Sequence, residues 1–206
     1  MGEFFTRIGR SDPVPPVFSG VFTYNGRPFL HGVSDLSLDP DLVRTVAGLL
    51  GREPRGLLDI PVLGPAGQPV VIRVASLVDD KPFPTLFWLV DRTLCYRIDQ
   101  LEAAGVIAEL QHRVDADPGL RTAMERDHQA HIALRRDCMA ADTRRRLEEL
   151  GYAEVLAGKG IGGIADFGRI RCLHTWYAAH LVRPNTVGRL LDAHWADEDG
   201  IAAASS

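Results

Sequence analysis

Apolar residues along this chain change their spacing near Asp91. Before it they come in short runs, Leu57 to Leu63, Pro69 to Ala75 and Thr85 to Val90. Gly64-Pro65-Ala66-Gly67 and Asp79-Asp80-Lys81-Pro82 separate these runs and supply turn chemistry. The middle run, Val70-Val71-Ile72-Arg73-Val74, is rich in β-branched residues and predicts a covered strand. Ahead of the strands, Asp39 as N-cap and Pro40 in the first turn predict a helix to Leu50, stopped by Gly51.

Beyond Asp91 the spacing turns helical. Asp91 caps a helix through Ala104, ended by Gly105. Asp117-Pro118 opens a long helix to about Cys138. Thr143 to Leu150, Ile170 to Val182 and Val187 to Trp195 complete the set. Strands first and helices later predict a helix-rich, single-domain α+β fold over 39–196, with one small sheet of about three strands.

Residues 1–38 differ in composition. They hold Pro13, Pro15, Pro16 and Pro28 among the aromatics Phe4, Phe5, Phe18, Phe22, Tyr24 and Phe29. Asn25-Gly26 between Val21 to Tyr24 and Pro28 to Leu30 predicts a small hairpin. A freely disordered tail is poorer in aromatics, so this segment reads as an arm that packs on the body or on a partner. Residues 197–206 read as a frayed tail.

Composition narrows the class. At 206 residues and 46% apolar, the chain can bury a sizeable core. A net charge of -4 argues against general nucleic-acid binding. No run approaches the ~20 apolar residues that span a bilayer. Met1-Gly2-Glu3-Phe4-Phe5 lacks the pattern of a secretory signal, and three scattered cysteines make no disulfide framework. The expectation is a cytoplasmic protein, with no membrane and no nucleic acid among its partners.

The densest chemistry lies in Arg169-Ile170-Arg171-Cys172-Leu173-His174. A cysteine between arginines at a helix start is where a thiolate is stabilised. Residues two apart inside a helix point about 200° apart, so Cys172 and His174 converge only if Cys172 precedes the first full turn. Cys172 then serves as nucleophile or ligand, and His174 as acid/base or second ligand. The structural alternative is a buried cysteine beside a capping or core histidine.

A second pair lies on the long helix, where Glu125 and His128 are three apart and can meet on one face. Carboxylate-bridged metal sites in helical bundles are built from such pairs. This one reads either as a ligand pair or as a half-buried histidine with a carboxylate partner. Leu120, Met124, His131, Leu134 and Cys138 form an apolar stripe beside it. Gly160-Ile161-Gly162-Gly163 lacks the lysine and hydroxyl of a P-loop and reads as a connector or a weak anion cradle. Gly-x-Ser-x-Gly, His-Glu-x-x-His and Cys-x-x-Cys are all absent.

Several segments together resemble a bacterial family, domain of unknown function 501. They are Leu50-Gly51-Arg52-Glu53-Pro54-Arg55-Gly56, Gly64-Pro65-Ala66-Gly67-Gln68-Pro69, Pro82-Phe83-Pro84-Thr85-Leu86-Phe87-Trp88-Leu89 and Arg171-Cys172-Leu173-His174. The resemblance runs roughly from Val46 to Gly188 and brings no established activity. It implies cysteines at two positions that here hold Gly64 and Asp91. With those thiolates absent, an iron–sulfur cluster is not expected, while zinc stays open. A replacement set of Asp91, Cys95, Cys172 and His174 is conceivable.

Two functions follow as expectations. One is a small-molecule or metal-binding enzyme, with its site where the Gly64–Pro69 loop, Asp91 and the Cys172 helix start meet. Arg73 or Arg171 would contact an anion there. The other is a non-catalytic interaction or assembly module that uses the arm to bind a protein partner or a second copy in a homo-oligomer.

Overall fold

The computed structural model describes residues 23–24, 27–28, 30–31 and 38–204. Three two-residue strands lie in the N-terminal segment: β1 (Thr23–Tyr24), β2 (Arg27–Pro28) and β3 (Leu30–His31). β1 and β2 pair antiparallel around Asn25-Gly26, as the hairpin expectation requires. Helix α1 (Pro40–Leu50) follows, with the Asp39 carboxylate accepting the N–H of Asp41. Gly51 ends it at φ 68°, a left-handed stop that glycine adopts without strain.

Strands β4 (Leu57–Leu63), β5 (Pro69–Val74) and β8 (Phe87–Leu89) form an antiparallel sheet in that order. β3 adds to the outer edge of β4, with Leu30 opposite Leu63 and His31 opposite Val62. Between β5 and β8 a small hairpin inserts, β6 (Leu77–Val78) and β7 (Lys81–Pro82). The third strand is shorter than the expected Thr85 to Val90. The approach is held by Phe83 N–H to Ser76 O at 2.7 Å and Val74 N–H to Leu86 O at 2.9 Å.

β5 is covered on both faces. Ile72 and Val74 meet Val46 of α1 in one apolar cluster. Val71 points to the other side, into the larger helical core, which Val70 also joins at the start of the strand. With Val71 at 0% and Ile72 at 1% exposure, each side chain contributes roughly 1.5–3 kcal/mol by burial.

The helical part comprises α2 (Arg92–Ala103), α3 (Val106–Ala116), α4 (Pro118–Asp137), α5 (Ala141–Glu149), α6 (Ala153–Ala157), a 3-10 turn (Ile161–Gly163), α7 (Leu173–Val182) and α8 (Thr186–Ala204). α7 is apolar on nearly every side, and Leu173, Trp176, Tyr177, Ala178, Ala179 and Leu181 are all buried. It lies against β8, α2 and α8 and is the centre of the core.

Several boundaries depart from expectation. The chain restarts as α3 immediately after Gly105, which at φ 87° is both the stop of α2 and the residue that precedes α3. α6 and the 3-10 turn occupy a stretch read as connector. α7 begins at Leu173 rather than Ile170. α8 continues to Ala204 through the segment expected to fray. Phe18, Phe22 and Phe29 lie outside the described residues. Among the described residues no helix is long and apolar enough to cross a membrane.

Candidate functional site

Cys172 is the N-cap residue of α7, in extended conformation at φ -150° and ψ 119°. It therefore precedes the first turn, as convergence with His174 demands. Its Sγ lies 3.8 Å from His174 Nδ1. The Cys172 side chain does not cap the helix. That work falls to Glu102 on α2, whose Oε1 accepts the Leu173 N–H at 2.6 Å. The same oxygen is 3.3 Å from His174 Nδ1. The first N–H of α7, which has no partner within the helix, thus gains an anionic one where the helix dipole favours it.

The far side of the imidazole is held as well. His174 Nε2 lies 3.2 Å from the Cys95 carbonyl oxygen and 3.3 Å from Asp99 Oδ1. A carbonyl only accepts, so Nε2 carries the proton in this arrangement. Nδ1 is then the atom turned toward Cys172 and Glu102. The Cys172 thiol as hydrogen-bond partner is the main cause that lifts the His174 pKa to about 9, against the opposing effect of burial, with Glu102 and the Cys95 carbonyl adding to the rise. One ligand atom from each of Glu102, Cys172 and His174 lies within 4.8 Å of the others. All three residues are partly exposed.

A cleft of about 390 Å³ opens beside this cluster. Its walls are Thr85, Phe87, Trp88 and Leu89 along β8, with His174 and Thr175 from α7. The aromatic strand entry and the Cys-Leu-His turn, distant in sequence, thus meet along one cleft.

Other expected residues lie elsewhere. Asp91 is the N-cap of α2 and accepts the Leu94 N–H at 2.8 Å, so its oxygen serves the helix. Cys95 is one turn further on; burial first, then the charge of Asp91, pushes its thiol up to about 11. Its Sγ faces the Leu89 carbonyl at 3.6 Å, and only its backbone reaches His174. Gly64 sits in the β4–β5 turn, its N–H bonded to Gln68 O at 2.7 Å. Arg73 pairs with Asp59 across β4 and β5, at 2.5 to 3.0 Å, and is not an anion contact at the cluster. Arg171 is exposed.

Glu125 and His128 do not form a metal pair with this site. Glu125 is exposed, while His128 is fully buried. His128 Nδ1 accepts the Ile161 N–H at 3.0 Å, and its ring stacks on Phe167 at 4.7 Å. A Cβ on Gly160 would come 2.2 Å from that Nδ1, which explains a glycine there. The N–H groups of Gly160, Ile161, Gly163 and Ile164 are all taken within the loop or by His128, so the segment is no anion cradle. Arg135 completes the loop's support, donating to the carbonyls of Pro84, Leu156 and Lys159.

Glu102 and Asp99 were not singled out in the sequence. Their signal is the spacing Cys95, Asp99, Glu102, which places three residues on one face of α2 at i, i+4 and i+7.

The molecule so described is a helix-rich α+β protein with a Cys-x-His helix start facing two carboxylates of α2. The chain belongs to the family described as protein of unknown function (DUF501), whose model matches residues 60–193. No curated protein matches the chain, and no solved structure matches it.

Proposed function

We propose that this protein is a zinc-dependent small-molecule protein, its metal held by Cys172 Sγ, His174 Nδ1 and a Glu102 oxygen beside the β8–α7 cleft. The observation that carries this reading is the convergence of three different ligand atoms within 4.8 Å at one helix start. Thiolate, imidazole and carboxylate together suit zinc better than a hard oxygen-seeking cation. The His174 ring supports it further. A metal-binding imidazole commonly donates its other N–H to a carbonyl or carboxylate, and Cys95 O and Asp99 stand there.

Three protein ligands leave a tetrahedral position for water or substrate, the pattern of a reactive rather than a structural site. When bound, the metal would supply a Lewis acid at the mouth of the cleft. Phe87, Trp88 and Leu89 would orient an apolar substrate there, and Thr85 offers a hydroxyl for its polar end. Free thiols at all three cysteines fit a reducing, cytoplasmic setting.

Metal analysis by plasma mass spectrometry on the zinc-loaded full chain tests the reading. The expected result is a single equivalent of zinc, lost in Cys172→Ala and kept in Glu125→Ala. A chain that retains no zinc, or a Cys172→Ala variant that retains as much as the parent, rules it out.

A non-catalytic role for the N-terminal segment, as cover for the sheet edge, is a second reading, favoured by the pairing of β3 with β4. Covering a sheet edge suppresses unwanted strand pairing. Removing residues 1–38 should therefore change sedimentation or lower the thermal midpoint. A truncated chain unchanged in both leaves this role without support.

A further inference from the structure

On the opposite face of the sheet from α7 lies a cavity of about 270 Å³. Its floor is apolar, with Ile72 and Val74 of β5. Phe83 and Trp88 form an aromatic wall, their rings 5.6 Å apart and inclined at 40°. The outer wall is the β6–β7 hairpin.

The hairpin is built to stay in place. Both residues of its turn, Asp79 at φ 52° and Asp80 at φ 57°, are left-handed, which aspartate tolerates better than most residues. Each carboxylate has its own arginine. Asp79 pairs with Arg55 at 3.0 Å, and Asp80 takes two bonds from Arg146, at 2.8 and 3.0 Å. Gly56 sits at φ 75°, and a Cβ there would come 2.6 Å from Val78 Cγ2. The glycine lets the hairpin close against the loop.

The rim is cationic in a chain whose net charge is -4. Arg52, Arg55 and Lys81 line the cavity against a single carboxylate, Asp79. Arg52 stands over the Trp88 ring at 5.2 Å. Among the described residues, neither Arg52 nor Lys81 has a carboxylate partner. The Trp88 indole N–H is buried without a hydrogen-bond partner. Phe83 and Trp88, within the residues the family model matches, contribute to these walls.

We infer that this cavity binds a small phosphate monoester with a planar, aromatic body. The ring fits the wall of Phe83 and Trp88, where stacking and cation–π contact are both on offer. The phosphate fits the rim, because a monoester carries roughly -1.5 to -2 charge and arginine binds it through two parallel bonds. The excess of cations over Asp79 matches that charge. Trp88 also lines the β8–α7 cleft, but none of Glu102, Cys172 and His174 lines this cavity, and the proposal does not depend on zinc.

The test uses the full chain and 1-naphthyl phosphate, with 1-naphthol and inorganic phosphate as separate arms. The readout is the indole N–H resonance of Trp88, assigned by its loss in Trp88→Phe. The aryl phosphate should shift this resonance saturably, and each half-probe should bind at least about tenfold more weakly. Arg52→Gln with Lys81→Gln changes two exposed side chains. It should weaken the aryl phosphate by about tenfold or more at an unchanged thermal midpoint. A Trp88 resonance that does not move, naphthol binding as tightly as its phosphate, or full affinity in the double variant each overturns the assignment.

Discussion

Glu102 Oε1 accepts the Leu173 N–H at 2.6 Å and lies 3.3 Å from His174 Nδ1. One carboxylate from α2 therefore both caps α7 and closes the Cys172–His174 cluster. The two roles separate by substitution. Glu102→Gln keeps an acceptor oxygen, so stability should change by less than about 1 kcal/mol, while Glu102→Ala should cost about 1–2 kcal/mol. Zinc affinity by calorimetry should fall about tenfold or more in both. Equal zinc affinity in Glu102→Gln and the parent would remove Glu102 from the ligand set.

The cysteines should differ in reactivity. Burial and Asp91 push the Cys95 thiol up to about 11, so it is almost entirely protonated near neutral pH. Iodoacetamide labelling followed by mass spectrometry should mark Cys172 at least about tenfold faster than Cys95, and added zinc should protect Cys172. Cys138 lies close enough to Arg73 to favour that guanidinium's charge. Cys95 reacting first would contradict the arrangement described.

What was legible in the sequence was local. Asp39-Pro40 and Asp117-Pro118 cap their helices as expected, because capping depends on residues two or three apart. The β-branched run of β5 is covered on both faces. Cys172 precedes its helix, as the geometry of an i, i+2 pair required. The misses were tertiary. Glu102 joins Leu173 from 71 positions away, and no periodicity in either segment announces that contact. The Glu125–His128 spacing was real, but His128 turned inward to hold Ile161. Gly105 was read as a stop, which it is, yet Val106, Leu110 and Val114 restart a helix at once.

Arg135 ties three segments together from a buried position. Its guanidinium is 2% exposed and donates to Pro84 O at 2.9 Å and to Leu156 and Lys159 O at 2.5 Å. Arg135→Ala leaves three carbonyls short of a donor and should destabilise by about 3 kcal/mol or more. Arg135→Lys keeps the charge but cannot span all three acceptors, and should recover only part of the loss. Urea denaturation compares them, and wild-type stability in either variant counts against this account.

Acid should unfold the protein through its buried histidines. Burial first, then Arg135 and His128, lowers the His131 pKa to about 3, and burial lowers His128 to about 4 despite the opposing charge of Asp127. Phe87 closes over His131, its ring 5.8 Å away edge-on. In the unfolded chain both imidazoles return to about 6.5. Between the folded and unfolded values the unfolded chain binds more protons, so stability rises with pH there. The stabilisation is whole above about 6.5 and is lost as pH falls toward the folded values. Near pH 4.5 the loss should be roughly 3 kcal/mol for each histidine. His131→Leu removes one of these groups while keeping an apolar filling. Its stability should fall less between about pH 7 and pH 4.5 than that of the parent, by roughly the share of one histidine. If both chains lose the same stability over that range, His131 is not a source of the acid sensitivity.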